Sequence, residues 1–241
     1  MKQLFPDMYD QPGKGMPIAA LAYWGFAFVG IPFLIPLLGF GLWDNESAVC
    51  WLDFVYHTIN ALVVVAMFGT YFQESFLNVE VDPGKFFKTV GAALLLMLAV
   101  VAVLHFGMRI NVFDAYPINE MSVAVTSGFM LEKMPVLGTV CHTLITPVVV
   151  VGLFYAVGFA PMCCRKPWLG YLVVTGLLIL PVAFDIFWRG EPELVISMFV
   201  LQLPMHWIAC WTYQKADTVW APLVTLSVFN LATSLICVFF P

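Results

Sequence analysis

The side chains of this chain that could do chemistry lie inside long apolar stretches. His57, His105, His142 and His206 fall in four different apolar stretches, and Asn230 lies among Val, Phe, Leu and Ala. A polar side chain in such surroundings costs free energy unless it finds a partner, so each is a candidate for function. Histidines on several membrane helices can ligate haem, and the same residues can instead form hydrogen bonds within a core.

Two acidic residues also fall within apolar stretches. Asp53 precedes His57 by four residues, which places both on one helix face, as a polar seam or as a simple helix contact. Asp185 follows Pro181 by four residues and is either an interfacial acid or a group aimed into a cavity. Both acids therefore remain candidates beside the histidines.

The composition is that of a polytopic membrane protein. The 241 residues are 62% hydrophobic and 10% charged, whereas soluble domains carry about 25% charged residues. No basic patch is present, which argues against nucleic acid as a partner. The six cysteines have no CxxC spacing and are interpreted as small hydrophobic residues. HExxH, GxSxG and Walker motifs are absent, and no cofactor or metal is expected.

The elements that must position these side chains are membrane spans of about 20 apolar residues each. The sequence predicts an all-α fold with about seven of them, at 17–43, 48–72, 86–110, 136–162, 168–187, 193–213 and 219–240. A polar loop is predicted over 73–85. The stretch 111–135 is predicted to be irregular, and its mildly apolar inner part, Met121 to Met134, is predicted to lie at the interface or to re-enter the membrane.

The distribution of Lys and Arg predicts the orientation in the cell membrane. With seven spans, one side carries Lys2, Lys14, Lys85, Lys88, Arg165, Lys166 and Lys215. The other side carries Arg109, Lys133 and Arg189. Seven against three favours a multi-pass protein with a cytoplasmic N-terminus and an external C-terminus.

Within the last helical pair, Trp207 to Phe240, the stretch Trp220 to Asn230 reads WAPLVTLSVFN. It resembles the closing motif of the CAAX-protease and bacteriocin-processing family, also called Abi or type II CAAX prenyl endopeptidases. The matching residues are Tyr213, Trp220, Ala221, Pro222 and Asn230. The family's histidine position falls on Leu226. The resemblance implies an Abi-like four-helix core over 136–241, after a cytoplasmic segment 1–16 and a three-helix part with its loop over 17–135.

The family's first motif has only an outline here. Pro147 and Phe154 match it, whereas the two glutamate positions fall on Val150 and Val151 and the arginine position falls on Tyr155. In that family a glutamate activates water for proteolysis within the membrane, and histidine and asparagine steady the oxyanion. Valine and leucine cannot exchange protons, so the resemblance implies a catalytically degenerate member.

The expected function is therefore binding rather than catalysis. The occupant would be a partner membrane protein, a lipid-linked substrate or a peptide, with membrane lipid around the chain. Degenerate relatives are associated with scaffolding of partners, cell-envelope enzymes and bacteriocin self-immunity. The residues expected to line the cavity are Asn230, His142, His206, Asp185, Tyr155 and Trp220. A divergent intramembrane protease, a haem-binding cytochrome b-like subunit and a transporter remain alternatives.

Overall fold

A computed structural model describes residues 16–31, 45–108, 127–189, 200 and 202–239. These residues form helices joined by short turns, with no strand among them. The α-helices are α1 (Met16–Gly25), α2 (Glu46–Val81), α3 (Pro83–Ala102), α4 (Ser127–Lys133), α5 (Pro135–Val140), α6 (Thr146–Val150), α7 (Ala160–Arg165), α8 (Pro167–Arg189), α9 (Leu203–Ala216) and α10 (Trp220–Phe239). The π-helical segments within this part of the chain are π1 (Phe26–Gly30), π2 (Val103–Gly107), π3 (Cys141–Ile145) and π4 (Val151–Phe159).

Among the described residues, three helical stretches are long and apolar enough to cross a membrane, namely Glu46–Val81, Pro83–Gly107 and Pro135–Cys163. The first of these has 36 residues, and at about 1.5 Å per residue it exceeds the roughly 30 Å thickness of the hydrocarbon layer. The outer faces remain apolar, with Trp51, Ile59 and Leu62 among the exposed side chains of α2. The predicted all-α class is therefore confirmed for the described residues, with three helices long enough to cross a membrane.

The remaining predicted spans coincide only in part with described helices. The predicted fifth and seventh spans correspond to α8 and α10. Parts of the predicted spans 17–43 and 193–213, and most of the stretch 111–135, lie outside the described residues. The N-terminal segment 1–16 lies outside them except for Met16.

The predicted polar loop over 73–85 is wrong, because α2 continues to Val81 and α3 begins at Pro83. The polar residues of this stretch lie largely on exposed faces of α2, where a helix tolerates them. The break falls at Asp82, whose side chain accepts a hydrogen bond of 2.9 Å from the Lys85 N–H. Pro83 occupies the first helical position, where its missing N–H costs little.

The hydrophobic core lies where α2, π4, α9 and α10 meet. Its buried side chains include Val64 from α2, Phe154 from π4, Ala209 from α9 and Phe229 from α10. Helix α2 approaches π4 so closely that a Cβ at Gly152 would lie 2.2 Å from Cγ1 of Val64. The absence of a side chain at Gly152 therefore sets the distance between these two elements.

A hydrogen-bonded contact, here called the turn clamp (Phe72 and Ser75 of α2 with Thr218, Val219 and Trp220), fixes the α9–α10 turn to α2. The Thr218 hydroxyl donates to the Ser75 carbonyl at 2.8 Å, and the Ser75 hydroxyl oxygen accepts from the Val219 N–H at 2.9 Å. The Trp220 indole N–H donates to the Phe72 carbonyl at 2.8 Å. The chain reverses at Asp217, a left-handed residue with φ of 60°.

Replacing Ser75 with Ala should loosen the turn clamp. Ser75 is 3% exposed, so its loss leaves the buried Val219 N–H without its acceptor, which costs about 1–3 kcal/mol. Hydrogen exchange followed by mass spectrometry should show faster exchange at residues 217–220. Ser227→Ala on half-buried α10 surface is the control and should leave this exchange unchanged. Equal protection in the wild type and Ser75→Ala would contradict the assignment.

The contact between α4 and α5 depends on the absence of a side chain at Gly138, as the contact between α2 and π4 depends on Gly152. A Cβ there would lie 2.9 Å from the backbone nitrogen of Leu131, which cannot rotate away as a side chain can. Gly138→Ala should therefore lower stability by about 1–3 kcal/mol in detergent unfolding. The matched variant Gly91→Ala, whose Cβ meets no atom within 4 Å, should be neutral or stabilising. Similar losses for both variants would refute this packing.

Candidate functional site

The amide of Asn230 is buried and hydrogen-bonded to the protein backbone. Its Nδ2 donates to the carbonyl oxygen of His142 at 2.9 Å, and the side chain is 7% exposed. This contact joins α10 to π3, which lie 88 residues apart in sequence. At this contact the Asn230 amide acts as a donor to the main chain.

The local sequence explains why the His142 carbonyl needs a side-chain donor. In π3 the Thr146 N–H donates to the carbonyl of Cys141, five residues back. The next donor in this register would be the N–H of residue 147, paired with the His142 carbonyl. Residue 147 is proline and has no N–H, so the carbonyl is left for another donor. In an apolar region the carbonyl must be satisfied from within the protein, and Asn230 does so.

A second polar pair joins π4 to α9. The Tyr155 hydroxyl lies 2.6 Å from Nδ1 of His206, and the two side chains are 0% and 2% exposed. The phenol can donate to the imidazole, or the imidazole to the phenol, depending on the tautomer. This pair supplies a buried hydrogen bond between two core helices.

The structure places the predicted cavity residues at three separate positions. His142 and Asn230 form one contact, and Tyr155 and His206 form another. His142 and Tyr155 are 13 positions apart on consecutive helical segments, which corresponds to roughly 20 Å. Trp220 belongs to the turn clamp.

Asp185, the sixth of the predicted cavity residues, lies on α8. Its side chain is outside the described residues. The common cavity that the sequence predicts for all six residues stays a prediction.

The three positions at which the sequence resemblance expects acid–base residues are apolar and buried. Val150 and Val151 are 2% and 0% exposed, and Leu226 is 5% exposed. All three belong to one hydrophobic cluster, which also contains Phe154 and Phe229. A water molecule at these positions would meet hydrocarbon groups rather than a general base.

A surface groove of about 390 Å³ runs between α3 and α9. Its lining is almost entirely apolar and consists of Leu96, Val100, Pro204, Trp207, Ile208 and Trp211. Within the described ranges, no group of three or more His, Cys, Asp or Glu side chains could hold a metal ion. The groove therefore offers contact area rather than acid–base or metal chemistry.

Two structural roles went unrecognised in the sequence. In the sequence, Pro147 fits only a motif outline. A proline within an apolar span nevertheless leaves a carbonyl of the preceding turn without its backbone N–H and so predicts a side-chain donor elsewhere. The pairing of Ser75 with Thr218 had no signal in sequence, because 143 positions separate them. Only packing of α2 against the α9–α10 turn brings them together.

Comparisons of the chain with protein-family models, with curated proteins and with solved structures gave no match.

The pairing of Asn230 with the carbonyl released by Pro147 predicts energetic coupling between two distant positions. Asn230→Leu should cost about 1–3 kcal/mol, because the buried His142 carbonyl loses its donor. Pro147→Ala supplies a backbone N–H, so in that background the same change should cost at least about 1 kcal/mol less. Unfolding in mixed micelles measures the free energy of unfolding of the wild type, the two single variants and the double variant.

The control for this cycle is Thr225→Ala on the same helix, whose hydroxyl bonds locally to the Ala221 carbonyl at 2.8 Å. Its effect should be the same in the wild type and in the Pro147→Ala background, because the bond does not involve π3. An Asn230→Leu effect that is equally independent of residue 147 would overturn the assignment.

Proposed function

We propose that this chain is a non-catalytic membrane protein that uses a degenerate CAAX-protease-like core to bind a partner membrane protein. The observation that carries this proposal is the burial of Val150, Val151 and Leu226 in one apolar cluster. These positions correspond to the acid–base residues of the family that the motifs resemble. We therefore assign the core to binding, because valine and leucine side chains can neither accept nor donate a proton.

The hydrogen bond of Asn230 supports the same conclusion. In the family, this residue steadies the oxyanion of the reacting peptide, a role that needs a donor aimed at the substrate. Here Nδ2 donates to the His142 carbonyl at 2.9 Å. The residue that the motif retains therefore has a structural use that requires no substrate.

The buried histidine of α9 has a similar structural use. His206 contacts the Tyr155 hydroxyl at 2.6 Å, and Tyr155 occupies the position of the family's arginine. A phenol in place of a guanidinium gives a hydrogen bond inside the core rather than a fixed positive charge on residue 155. These residues support a scaffold held together by internal hydrogen bonds.

We further propose that the chain crosses the cell membrane seven times, with the N-terminus in the cytoplasm. Lys85 lies in the first turn of α3, Lys215 lies in the last turn of α9, and Lys166 lies between α7 and α8. These helix ends would face one side of the membrane under this arrangement. The excess of seven basic residues against three favours that side as the cytoplasmic one. Membrane lipid would cover the exposed apolar faces of α2 and α3.

Affinity purification from native membranes in mild detergent tests the proposal. We expect a stoichiometric membrane protein to co-purify, and no cleavage of prenylated or bacteriocin-like peptides by the purified sample. Mass spectrometry identifies the partner, a peptide assay measures cleavage, and an absorption spectrum of the same sample detects haem. Asn230→Leu should weaken association in proportion to its effect on folding, whereas Glu80→Gln at an exposed position is the matched control.

Three results would contradict the proposal. Cleavage that His206→Ala or Asn230→Ala abolishes would identify a divergent protease. A Soret band would identify a haem protein, in which histidine side chains would serve as axial ligands of the iron. A protein that purifies alone, with a lipid-linked molecule or peptide bound, would replace the protein partner with that ligand.

A further inference from the structure

An acid and an imidazole lie side by side inside the first long helix, and neither takes part in the contacts described above. On α2, Oδ2 of Asp53 lies 3.6 Å from Nε2 of His57. The two side chains are 1% and 0% exposed. Burial of an ionisable pair is costly, and such pairs inside membranes commonly mark functional sites.

The outer face of α2 at the level of the pair is apolar, as expected at the depth of the hydrocarbon layer. Val55, Ile59 and Leu62, at the same level of the helix, are 47%, 54% and 65% exposed. Large apolar side chains that project outward over several turns match a lipid environment. Asp53 and His57 therefore face inward at a level where lipid surrounds the outside of the helix.

The geometry leaves the imidazole able to change its protonation state. The separation of 3.6 Å exceeds the usual length of a hydrogen bond, although it is short enough for an ion pair. Among the described residues, neither ring nitrogen of His57 has a hydrogen-bond partner. A buried polar group in this condition calls for an explanation such as an ion, a proton or internal water.

The same helix face connects the pair to its polar end. Glu46, Cys50, Asp53 and His57 follow at spacings of four, three and four residues, so they form one column along α2. Glu46 is exposed at the start of the helix and lies 3.3 Å from the Lys133 ammonium. Asn60 continues the column inward and accepts a hydrogen bond from the Tyr23 hydroxyl.

The ionisable groups on elements near this part of α2 are few. Besides Glu46 and Cys50 of the column itself, they are Tyr23 of α1, Tyr56 of α2, Glu132 and Lys133 of α4, Cys141 and His142 of π3, and Tyr155 of π4. The side chains of α6 that are packed against α2 carry no ionisable group, and neither do the described side chains of α10. Asp53 is thus the buried carboxylate that faces His57.

We propose that Asp53 and His57 form a proton-binding site inside the membrane, which takes its proton from water at the Glu46 end of α2. A hydronium ion transfers its proton to Nε2 of His57 and leaves as water, and no electrons move. The product is an imidazolium beside the Asp53 carboxylate, whose charge offsets it. The site goes beyond the function proposed for the core, because neither Asp53 nor His57 belongs to the apolar cluster of Val150, Val151 and Leu226.

Nuclear magnetic resonance of the full-length protein in lipid nanodiscs, with ¹⁵N-labelled histidine, tests the site. His57→Gln identifies the His57 signals among the four histidines. In the wild type, these signals should pass from the neutral to the imidazolium positions between pH 8 and pH 5. In Asp53→Asn they should remain those of a neutral ring, because the compensating carboxylate is gone.

Glu80→Gln, an exposed acid near the other end of the same helix, is the matched control and should leave the His57 titration unchanged. Unaltered signals of the other three histidines show that Asp53→Asn is folded. A wild-type His57 that stays neutral from pH 8 to pH 5 would overturn the proposal without any variant. Identical titrations in the wild type and in folded Asp53→Asn would also overturn it.

Discussion

A backbone carbonyl in an apolar environment must find its donor within the protein, and much of this structure follows from how one such carbonyl is satisfied. The π register of π3 would assign the His142 carbonyl to residue 147, and a proline stands there. Asn230 supplies the missing donor at 2.9 Å and so fixes α10 against π3. The carbonyl, the proline and the amide therefore form one unit, although they come from distant parts of the chain.

The turn clamp holds α10 at a second level. At the start of the helix, Trp220 and the turn before it bond to Phe72 and Ser75 of α2. About ten residues further along, or roughly 15 Å, Asn230 bonds to π3. Between these two levels, Leu226 and Phe229 pack into the main core. Polar contacts at the start and in the middle of α10 thus set the register in which the apolar segment between them packs.

The arrangement of polar groups separates the chain into two regions with different chemistry. In the core around π4, α9 and α10, the polar side chains of Asn230, Tyr155 and His206 make contacts within the protein, and Val150, Val151 and Leu226 are buried in an apolar cluster. Along α2, Asp53 and His57 form a buried ionisable pair. This separation is the reason for assigning binding to the first region and proton uptake to the second.

The sequence by itself determined the helical class, the apolar character of the long helices and the helix face that Asp53 and His57 share. These features depend on composition and on spacing within one helix, which a linear pattern contains. It also identified Asn230 as a residue that needs a partner, but it could not name the partner. It predicted a loop over 73–85, because the polar side chains there are also compatible with an exposed helix, which continues to Val81.

Tertiary structure alone decided the pairings between distant residues. Ser75 meets Thr218, Tyr155 meets His206, and Asn230 reaches His142, because helices that are remote in sequence pack together. The predicted cavity residues fall at three separate positions for the same reason. Side-chain types predict which groups require a hydrogen bond, whereas the packing of the helices determines which donor reaches which acceptor.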